Sequence, residues 1–177
     1  MKETAELVYF PTWTAGRKGY AERIRQLFEE YLNEKGLKQT TQRQAILDYL
    51  LQASRHLSQE DIYRALKSRG IGRVTVFRAL KTLEDCGLVA RVSGPGAMAR
   101  YEVKKERPHH DHLICVDCGA ILEVRWPEVE RLQDRTCRDV EFTPLWHRHE
   151  IFGRCKNCGQ APGPVTGRSH PANTRKK

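Results

Sequence analysis

The chain has 177 residues and a formal net charge of +9 at pH 7. That length allows one or two small domains with modest cores and is short for a large enzyme. The sequence has no apolar run of about 18 residues, which argues against a membrane-spanning helix. Its N-terminus lacks the pattern of a secretory signal peptide, so we expect a cytoplasmic protein.

The first half of the chain is predicted to be helical. Residues 1–18 show no periodicity and are interpreted as an N-terminal arm, whereas apolar residues recur at helical spacing over 19–35. A second helix is predicted over 42–53. Ser58 then begins a third helix through a Ser-x-x-Asp capping pattern, and Gly70 ends it.

A fourth helix and a pair of strands follow. The helix runs from about Val74 to Gly87, after which apolar and polar residues alternate over 88–93 and 98–103 around a Gly-Pro-Gly turn. Helices followed by a two-stranded hairpin are typical of a winged helix-turn-helix, whose last helix enters the major groove of DNA. We therefore predict a winged-helix DNA-binding domain over 19–103, with a generic helical lobe as the alternative.

The charge distribution agrees with DNA binding in this half of the chain. The excess of Lys and Arg over Asp and Glu lies in residues 1–105 and in the C-terminal tail. A basic surface attracts nucleic acid, although many basic surfaces are only solvated. The polar side of the fourth helix carries four residues that could contact phosphates and base edges: Arg73, Thr75, Arg78 and Lys81.

The second half is predicted to form a small α/β lobe over 109–160, after a polar hinge at 104–108. Its expected elements are a hairpin of strands 112–116 and 120–125, a helix over 127–138 and a strand-like stretch over 141–153. The strands leave edges that two copies can join, so we expect a homodimer. Residues 161–177 are interpreted as a basic, disordered tail.

Two CxxC pairs carry the most specific chemistry of the chain: Cys115/Cys118 and Cys155/Cys158. Four thiolates can surround one tetrahedral Zn(II) at about 2.3 Å, and such a closed shell is typical of a structural site. A single CxxC could be a redox dithiol or a chance pair, but two pairs in a short chain favour zinc. The predicted fold class is therefore α+β, a winged helix-turn-helix followed by a dimerisation domain with a four-cysteine zinc site.

A run of nitrogen and oxygen ligands, His109-His110-Asp111-His112, stands shortly before the first CxxC. Such a run could activate water in a small metal-dependent hydrolase, and the CxxC pairs could cycle as dithiols in a thiol oxidoreductase. The sequence contains neither HExxH nor a nucleophile motif. This absence favours a metal-binding regulator over an enzyme.

Three segments resemble the ferric uptake regulator (Fur) family. They are Leu37-Lys38-Gln39-Thr40-Thr41-Gln42-Arg43, Thr75-Val76-Phe77-Arg78-Ala79-Leu80, and the run from His109 to Gly119 that contains the first CxxC. The resemblance covers about residues 36–159. It implies a homodimeric, metal-dependent bacterial repressor that binds double-stranded operator DNA and controls metal-homeostasis genes.

The resemblance also implies a regulatory metal site between the two domains. Its ligands would be His56, Glu102, His112 and Glu123, with His110 available as a fifth. Mixed imidazole and carboxylate ligands suit Fe(II), Mn(II) or Zn(II) without the tight grip of four thiolates. Each residue alone has a simpler interpretation: His56 could cap the third helix, Glu102 could pair with a lysine, and Glu123 could be solvated.

A second metal site inside the dimerisation domain is implied in the same way. Its ligands would be His109, Asp111, Glu130 and His147. His149 and Glu150 stand close to His147 in the sequence, and a shift of register would exchange them for it.

For DNA binding, the resemblance implies that Lys38 enters the minor groove and that Phe77 and Arg78 occupy recognition positions. Phe77 stands where the family usually has tyrosine, which keeps apolar contact with a thymine methyl but removes a hydrogen bond. The expected signal is Fe(II), with zinc, manganese or peroxide sensing as alternatives. Peroxide sensors tend to carry aspartate where this chain has Glu102 and Glu123, so a metal is favoured over peroxide.

Overall fold

The computed structural model describes residues 19–94, 98–104 and 109–159. The predicted arm, most of the hinge, the centre of the wing turn and the tail lie outside the described residues. The helices are α1 (Tyr20–Glu34), α2 (Thr41–Gln52), α3 (Gln59–Leu66), α4 (Arg73–Asp85) and α5 (Pro127–Asp139). The strands are β1 (Leu57–Ser58), β2 (Val89–Ser93), β3 (Ala99–Val103), β4 (Asp111–Cys115), β5 (Ile121–Val124) and β6 (Glu150–Gly153). Among the described helices, none is long and apolar enough to cross a membrane.

Helices α1 to α4 share one apolar core, as their spacing predicts. Ile24, Phe28, Ile46, Ile62 and Leu83 are completely buried there. Each helix contributes residues three or four positions apart, which places them on one face. This core holds the first half of the described chain together.

A capping box fixes the start of α3. The Ser58 hydroxyl accepts a hydrogen bond from the Asp61 N–H at 3.1 Å, and the Asp61 carboxylate accepts one from the Ser58 N–H at 2.8 Å. Burial raises the pKa of Asp61, but hydrogen bonds from Ser58 and Arg55 outweigh burial and lower that pKa to about 2. The carboxylate therefore remains ionised and keeps the helix start in place next to His56.

The first sheet has the strand order β1-β3-β2 and is antiparallel. Only β2 and β3 were expected from the sequence, and the additional strand β1 pairs Leu57 with Tyr101. Because β1 has two residues, its alternation is too short to be recognised without its partner. The pairing brings His56, directly before β1, close to Glu102 on β3.

The second sheet has the strand order β5-β4-β6, with β5 antiparallel and β6 parallel to the central strand. His112 on β4 is therefore paired with Glu123 on one side and Glu150 on the other. The first CxxC lies in the turn between β4 and β5, where Gly119 has the left-handed φ of 72° that favours glycine. The order of the sheet thus gathers both CxxC pairs at the end of β4.

The strand predicted over 141–153 is wrong for most of its length. Within the described residues, only Glu150–Gly153 forms a strand in this stretch. The pairing with β4 explains the difference, because β4 begins at Asp111 and its residue His112 is paired with Glu150, the first residue of β6. Residues 142–149 form no regular element, and Leu145 and Trp146 are 89% and 80% exposed.

Candidate metal centres

Four side chains from the two halves of the molecule meet at what we call the interlobe cluster: His56, Glu102, His112 and Glu123. One ligand atom from each lies within 4.8 Å of the others. His56 and Glu102 come from the helical half, whereas His112 and Glu123 come from the second sheet. Any ion bound here would therefore connect the two halves of the molecule.

The distances in the interlobe cluster fit coordination of one ion. His56 Nε2 lies 3.2 Å from His112 Nε2 and 3.6 Å from Glu102 Oε2, and it lies 3.7 Å from Glu123 Oε1. Two nitrogen or oxygen ligands of a tetrahedral ion are about 3.4 Å apart when each bond is about 2.1 Å. His110 offers a fifth candidate ligand atom, because its Nε2 lies 3.0 Å from Glu102 Oε2.

The electrostatics of this cluster also favour a cation. Glu102 is 8% exposed and shares the site with a second carboxylate, Glu123. Burial raises the pKa of Glu102, but hydrogen bonds from His110, His112 and His56 outweigh burial and hold the pKa well below its usual range. Carboxylates are costly to bury unless a positive charge lies nearby. A divalent cation would supply that charge.

A second cluster lies on the other side of β4: His109, Asp111, Glu130 and His147. Consecutive strand residues point to opposite faces, so Asp111 faces this cluster while His112 faces the interlobe cluster. Glu130 Oε1 lies 3.3 Å from His109 Nδ1 and 3.1 Å from His147 Nε2. Burial lowers the pKa of His109, which favours the neutral imidazole that a metal requires.

Four cysteines form the third cluster, Cys115, Cys118, Cys155 and Cys158, and none of them is in a disulfide. The Sγ atoms of Cys118 and Cys155 are 3.6 Å apart, close to the distance of about 3.8 Å between two sulfur ligands of tetrahedral zinc. In both pairs the chain turns back on itself, since Gly119 N–H donates to Cys115 O and Cys158 N–H donates to Cys155 O. The arrangement matches the zinc ligand set predicted from the two CxxC pairs.

The thiol pKa values differ strongly within this cluster. The N–H groups of Cys118 and Cys155 donate to Cys115 and lower the pKa of that thiol to about 6. In contrast, the neighbouring thiols of Cys118 and Cys155 raise the pKa of Cys158 to about 12. Four adjacent thiolates repel one another, so all four can ionise together only around a cation.

The residues predicted to contact DNA lie on exposed parts of the helical half. Phe77 is 55% exposed on α4, and Arg73, Arg78 and Lys81 are exposed on the same helix, with Thr75 partly buried. Lys38 is exposed before α2, and its backbone carbonyl accepts a hydrogen bond from the Arg43 guanidinium. No contact with nucleic acid is part of this structure, so their role in DNA binding stays a prediction.

Sequence reasoning missed one set of contacts between the two halves. Glu150 Oε1 accepts a hydrogen bond from the Ser93 N–H at 3.1 Å, and the Arg148 guanidinium donates to the Arg91 carbonyl at 3.3 Å. The Arg148 and Glu150 side chains also form an ion pair at 3.5 Å. No local pattern could have indicated these contacts, because the bonded residues are 57 positions apart.

Comparison with known proteins gives relatives for nearly the whole described chain. The profile of the Ferric uptake regulator family matches residues 34–152. The ferric uptake regulation protein of Neisseria meningitidis serogroup B is 39% identical over 135 residues, which cover 75% of this chain and 92% of that protein. The protein of the same description from Campylobacter upsaliensis is 35% identical over 135 residues, covering 74% and 86%.

Solved structures of proteins in this family have a similar fold. The Helicobacter pylori ferric uptake regulator Fur, reported to have three functional metal binding sites, matches with a TM-score of 0.72 and 28% identity over 81% of this chain and 96% of that one. The ferric uptake regulator from Pseudomonas aeruginosa with manganese matches with a TM-score of 0.62 and 35% identity over 72% and 97%.

Proposed function

Because this chain belongs to the ferric uptake regulator family, we propose that it is a metal-dependent transcriptional repressor that binds operator DNA as a homodimer. Its relatives are named as regulators rather than as hydrolases or thiol oxidoreductases. Such a protein acts in the cytoplasm, where bacterial DNA is found. We propose that the chain has two domains, a winged helix over 19–103 and a metal-binding dimerisation domain over 109–160.

The interlobe cluster is the proposed sensor. The observation that carries this proposal is that its candidate ligands come from both halves of the molecule. Two of its ligands, His56 and Glu102, belong to the DNA-binding half, and the other two, His112 and Glu123, belong to the dimerisation half. Metal at this position holds the halves in one orientation, so that a larger fraction of dimers can reach two half-sites on one face of the duplex. By linkage, DNA must tighten metal binding by the same factor.

The proposed regulatory metal is Fe(II), with Mn(II) and Zn(II) as alternatives. The interlobe ligands are borderline imidazoles and hard carboxylates, which accept all three ions. Related structures contain manganese in the Pseudomonas aeruginosa regulator and iron in the Francisella tularensis regulator. The second cluster is proposed to bind the same class of ion.

The four-cysteine cluster is proposed to hold a structural zinc. Its ligand set is all sulfur, and the distances suit a closed tetrahedral shell. Zinc there would connect the β4–β5 turn to the segment after β6. In the absence of a large apolar core in this half of the described chain, that connection would contribute much of its stability.

Helix α4 is the proposed recognition helix. Its apolar face packs into the core through Val76, Leu80 and Leu83, and the opposite face presents Phe77 and Arg78 to solvent. An exposed aromatic ring beside an unburied guanidinium suits contact with a thymine methyl and with guanine or phosphate oxygens. Lys38 would contact the backbone or the minor groove.

The dimer is proposed from exposed apolar surface in the second half. Helix α5 buries none of its residues, and Leu132, Val140, Phe142 and Ile151 are each more than half exposed. Several large apolar side chains left exposed on one lobe are a feature of surfaces that bind another protein. A second copy would cover it and would place two copies of α4 on one duplex.

The proposal is tested by measuring DNA binding with and without metal. Duplexes selected from a random library on the Mn(II)-loaded protein serve as the probe, and anisotropy titrations are then made under argon with Fe(II), Mn(II), Zn(II) or chelator. We expect metal to tighten DNA binding by about 5- to 150-fold, the range of typical allosteric couplings. His112→Ala should remain folded and dimeric but lose this response.

His147→Ala is the matched control, because it removes an imidazole from the second cluster only. If this variant loses the metal response while His112→Ala keeps it, the second cluster is the sensor and the interlobe proposal is wrong. If neither metal nor chelator changes DNA binding of the parent protein, the protein is not a metal-dependent repressor.

A further inference from the structure

His149 lies beside the second cluster and is not one of its four predicted ligands. Its side chain is 37% exposed, and its Nδ1 atom lies 3.8 Å from Asp111 Oδ2. The other oxygen of that carboxylate, Oδ1, lies 4.0 Å from His109 Nε2. Asp111 therefore stands between a predicted ligand and an imidazole that has no assigned role.

The Asp111 carboxylate lacks the partners that a buried charge requires. It is 1% exposed, and within the described residues neither of its oxygens has a hydrogen-bond donor. Both imidazole contacts are too long to be hydrogen bonds. Burying a carboxylate without donors is strongly unfavourable, so such a group normally pairs with a cation or a metal.

The separation between Asp111 and His149 is one that a shared ion allows. Two atoms that each bind the same ion at about 2.0–2.2 Å can be at most about 4.4 Å apart. The His147 and His149 rings are also close, with centroids 5.4 Å apart. The gap between Asp111 Oδ2 and His149 Nδ1 is thus too wide for a hydrogen bond and narrow enough for metal coordination.

Gln133 on α5 can prepare His149 for this role. Its side-chain amide lies 3.1 Å from His149 Nε2. When the amide oxygen faces the ring, it accepts the Nε2 proton, and the lone pair of the neutral imidazole is then on Nδ1, facing Asp111. A hydrogen bond of this kind on the far nitrogen is the usual companion of a metal-bound histidine.

We infer that His149 is a fifth ligand of the second metal site, through Nδ1. The inference rests on the proposed metal site at His109, Asp111, Glu130 and His147, and it changes the donor set to three imidazoles and two carboxylates. Imidazole-rich sites favour zinc, iron, nickel and copper, whereas oxygen-rich sites suit manganese and magnesium. His149 therefore biases the second site toward Zn(II) and Fe(II) and away from Mn(II).

The test uses Co(II) as a spectroscopic probe in full-length protein that retains its cysteine-bound zinc. The double variant His56→Ala/Glu102→Ala is the background, because it removes two of the five candidate ligands of the interlobe cluster without altering β4. His149→Leu is added to it, and Co(II) affinity and the ligand-field spectrum are recorded for both proteins. We expect His149→Leu to weaken Co(II) binding by at least about tenfold and to intensify the spectrum, as expected when a five-coordinate ion becomes four-coordinate.

The variant should fold normally, because the backbone carbonyl of residue 149 keeps its hydrogen bond from His112 N–H at 3.2 Å and the side chain is partly exposed. Equal thermal unfolding of the zinc-only proteins checks this. Unchanged affinity and spectrum in His149→Leu would overturn the inference. Weaker binding with an unchanged spectrum would also overturn it, since His149 would then only orient Asp111.

Two further measurements complete the experiment. Zn(II) against Mn(II) competition should shift toward Mn(II) in His149→Leu by a similar factor, and an unchanged ratio contradicts the inference. His147→Ala in the same background should abolish Co(II) loading. If the His56→Ala/Glu102→Ala parent binds no Co(II) beyond zinc exchange, the proposed second site is wrong. That outcome differs from the failure of His149 alone and does not depend on DNA binding.

Discussion

Two of the three basic side chains on α4 already have partners within the protein. The Arg73 guanidinium lies 3.1 Å from both carboxylate oxygens of Glu60 and stacks over the Tyr63 ring at 3.8 Å. Lys81 Nζ lies 2.7 Å from Asp85. Among the described residues, none forms an ion pair with Arg78. Arg78 can therefore reach a phosphate or a base edge without first breaking an internal contact.

This difference predicts unequal effects of substitution on DNA binding. Arg78→Ala should weaken operator binding by about 1–3 kcal/mol and lower the slope of log affinity against log salt by about one, because one DNA contact is lost. Arg73→Ala should change DNA affinity less. Salt-dependent anisotropy titrations of the parent and both variants provide the measurement. Equal slopes for Arg78→Ala and the parent would mean that α4 does not dock as proposed.

The edge strands β2 and β6 are joined by contacts that need no metal. The Ser93 N–H on β2 has the Glu150 carboxylate of β6 as its acceptor, and the Glu150 side chain is 9% exposed. Glu150 is paired with His112 in the parallel register. The contact between β2 and β6 is therefore adjacent to a residue of the interlobe cluster. It holds the two halves near the arrangement that metal binding requires.

Removal of the contact between Glu150 and Ser93 should raise the metal concentration that DNA binding requires. Glu150→Ala removes one charge-assisted hydrogen bond, and a loss of about 1–2 kcal/mol corresponds to a metal midpoint for DNA binding about 5- to 30-fold higher. At saturating metal the DNA affinity should return to that of the parent.

Glu128→Ala is the matched control for that prediction, because the Glu128 carboxylate on α5 pairs only with the exposed Arg131 in the described structure. Metal titrations at fixed DNA concentration compare the three proteins. If Glu150→Ala and Glu128→Ala give the same midpoint, β2 and β6 do not help to set the orientation.

The elements also differ in how far the sequence predicts them. Helices α1 to α4 follow from local spacing and caps, as Ser58 and Asp61 illustrate, because the hydrogen bonds of a helix are local. In contrast, β1 exists only through its pairing with β3, and β6 is limited to the residues that reach β4. The stretch over 141–153 is strand-like in sequence, but its Phe142 and Leu145 side chains are exposed and have no partner strand in the described residues.

The two halves of the molecule are stabilised differently. The helical half has a large apolar core, whereas in residues 109–159 the buried apolar side chains are Ile114, Cys115 and Val124 alone. So small a core supplies little free energy of folding. Stability of this half must come from elsewhere, and the sources we propose are metal at the four-cysteine cluster and a second subunit.

Loss of zinc should therefore unfold or monomerise the second half while the first half stays folded. Cys118→Ser removes one thiolate, and circular dichroism together with analytical ultracentrifugation should show a monomer with reduced sheet content. Cys137→Ser on α5 is the control, because Cys137 lies outside the cluster. A stable, dimeric, zinc-free Cys118→Ser protein would contradict the structural role of the cluster.

The candidate sites were predictable where ligands are close in sequence or where the family resemblance supplied them. The two CxxC pairs and the run from His109 to His112 signal metal by spacing alone. His56 and Glu102 become recognisable as ligands only through the resemblance, since the pairing of β1 with β3 is what brings them together. The contact between His149 and Asp111 follows from sheet order and could not be read from local spacing.

Strand β4 carries ligands for all three clusters within five residues: Asp111, His112 and Cys115. At about 3.3 Å per residue, the cysteine is only about 10 Å from the histidine that the proposed sensor uses. A newly made chain that has not yet acquired zinc would have this strand unanchored at one end, and its sensor could not assemble however abundant the sensed metal was. If the protein is the proposed Fe(II)-dependent repressor, the genes under its control would then be expressed in a zinc-starved cell as though iron were scarce.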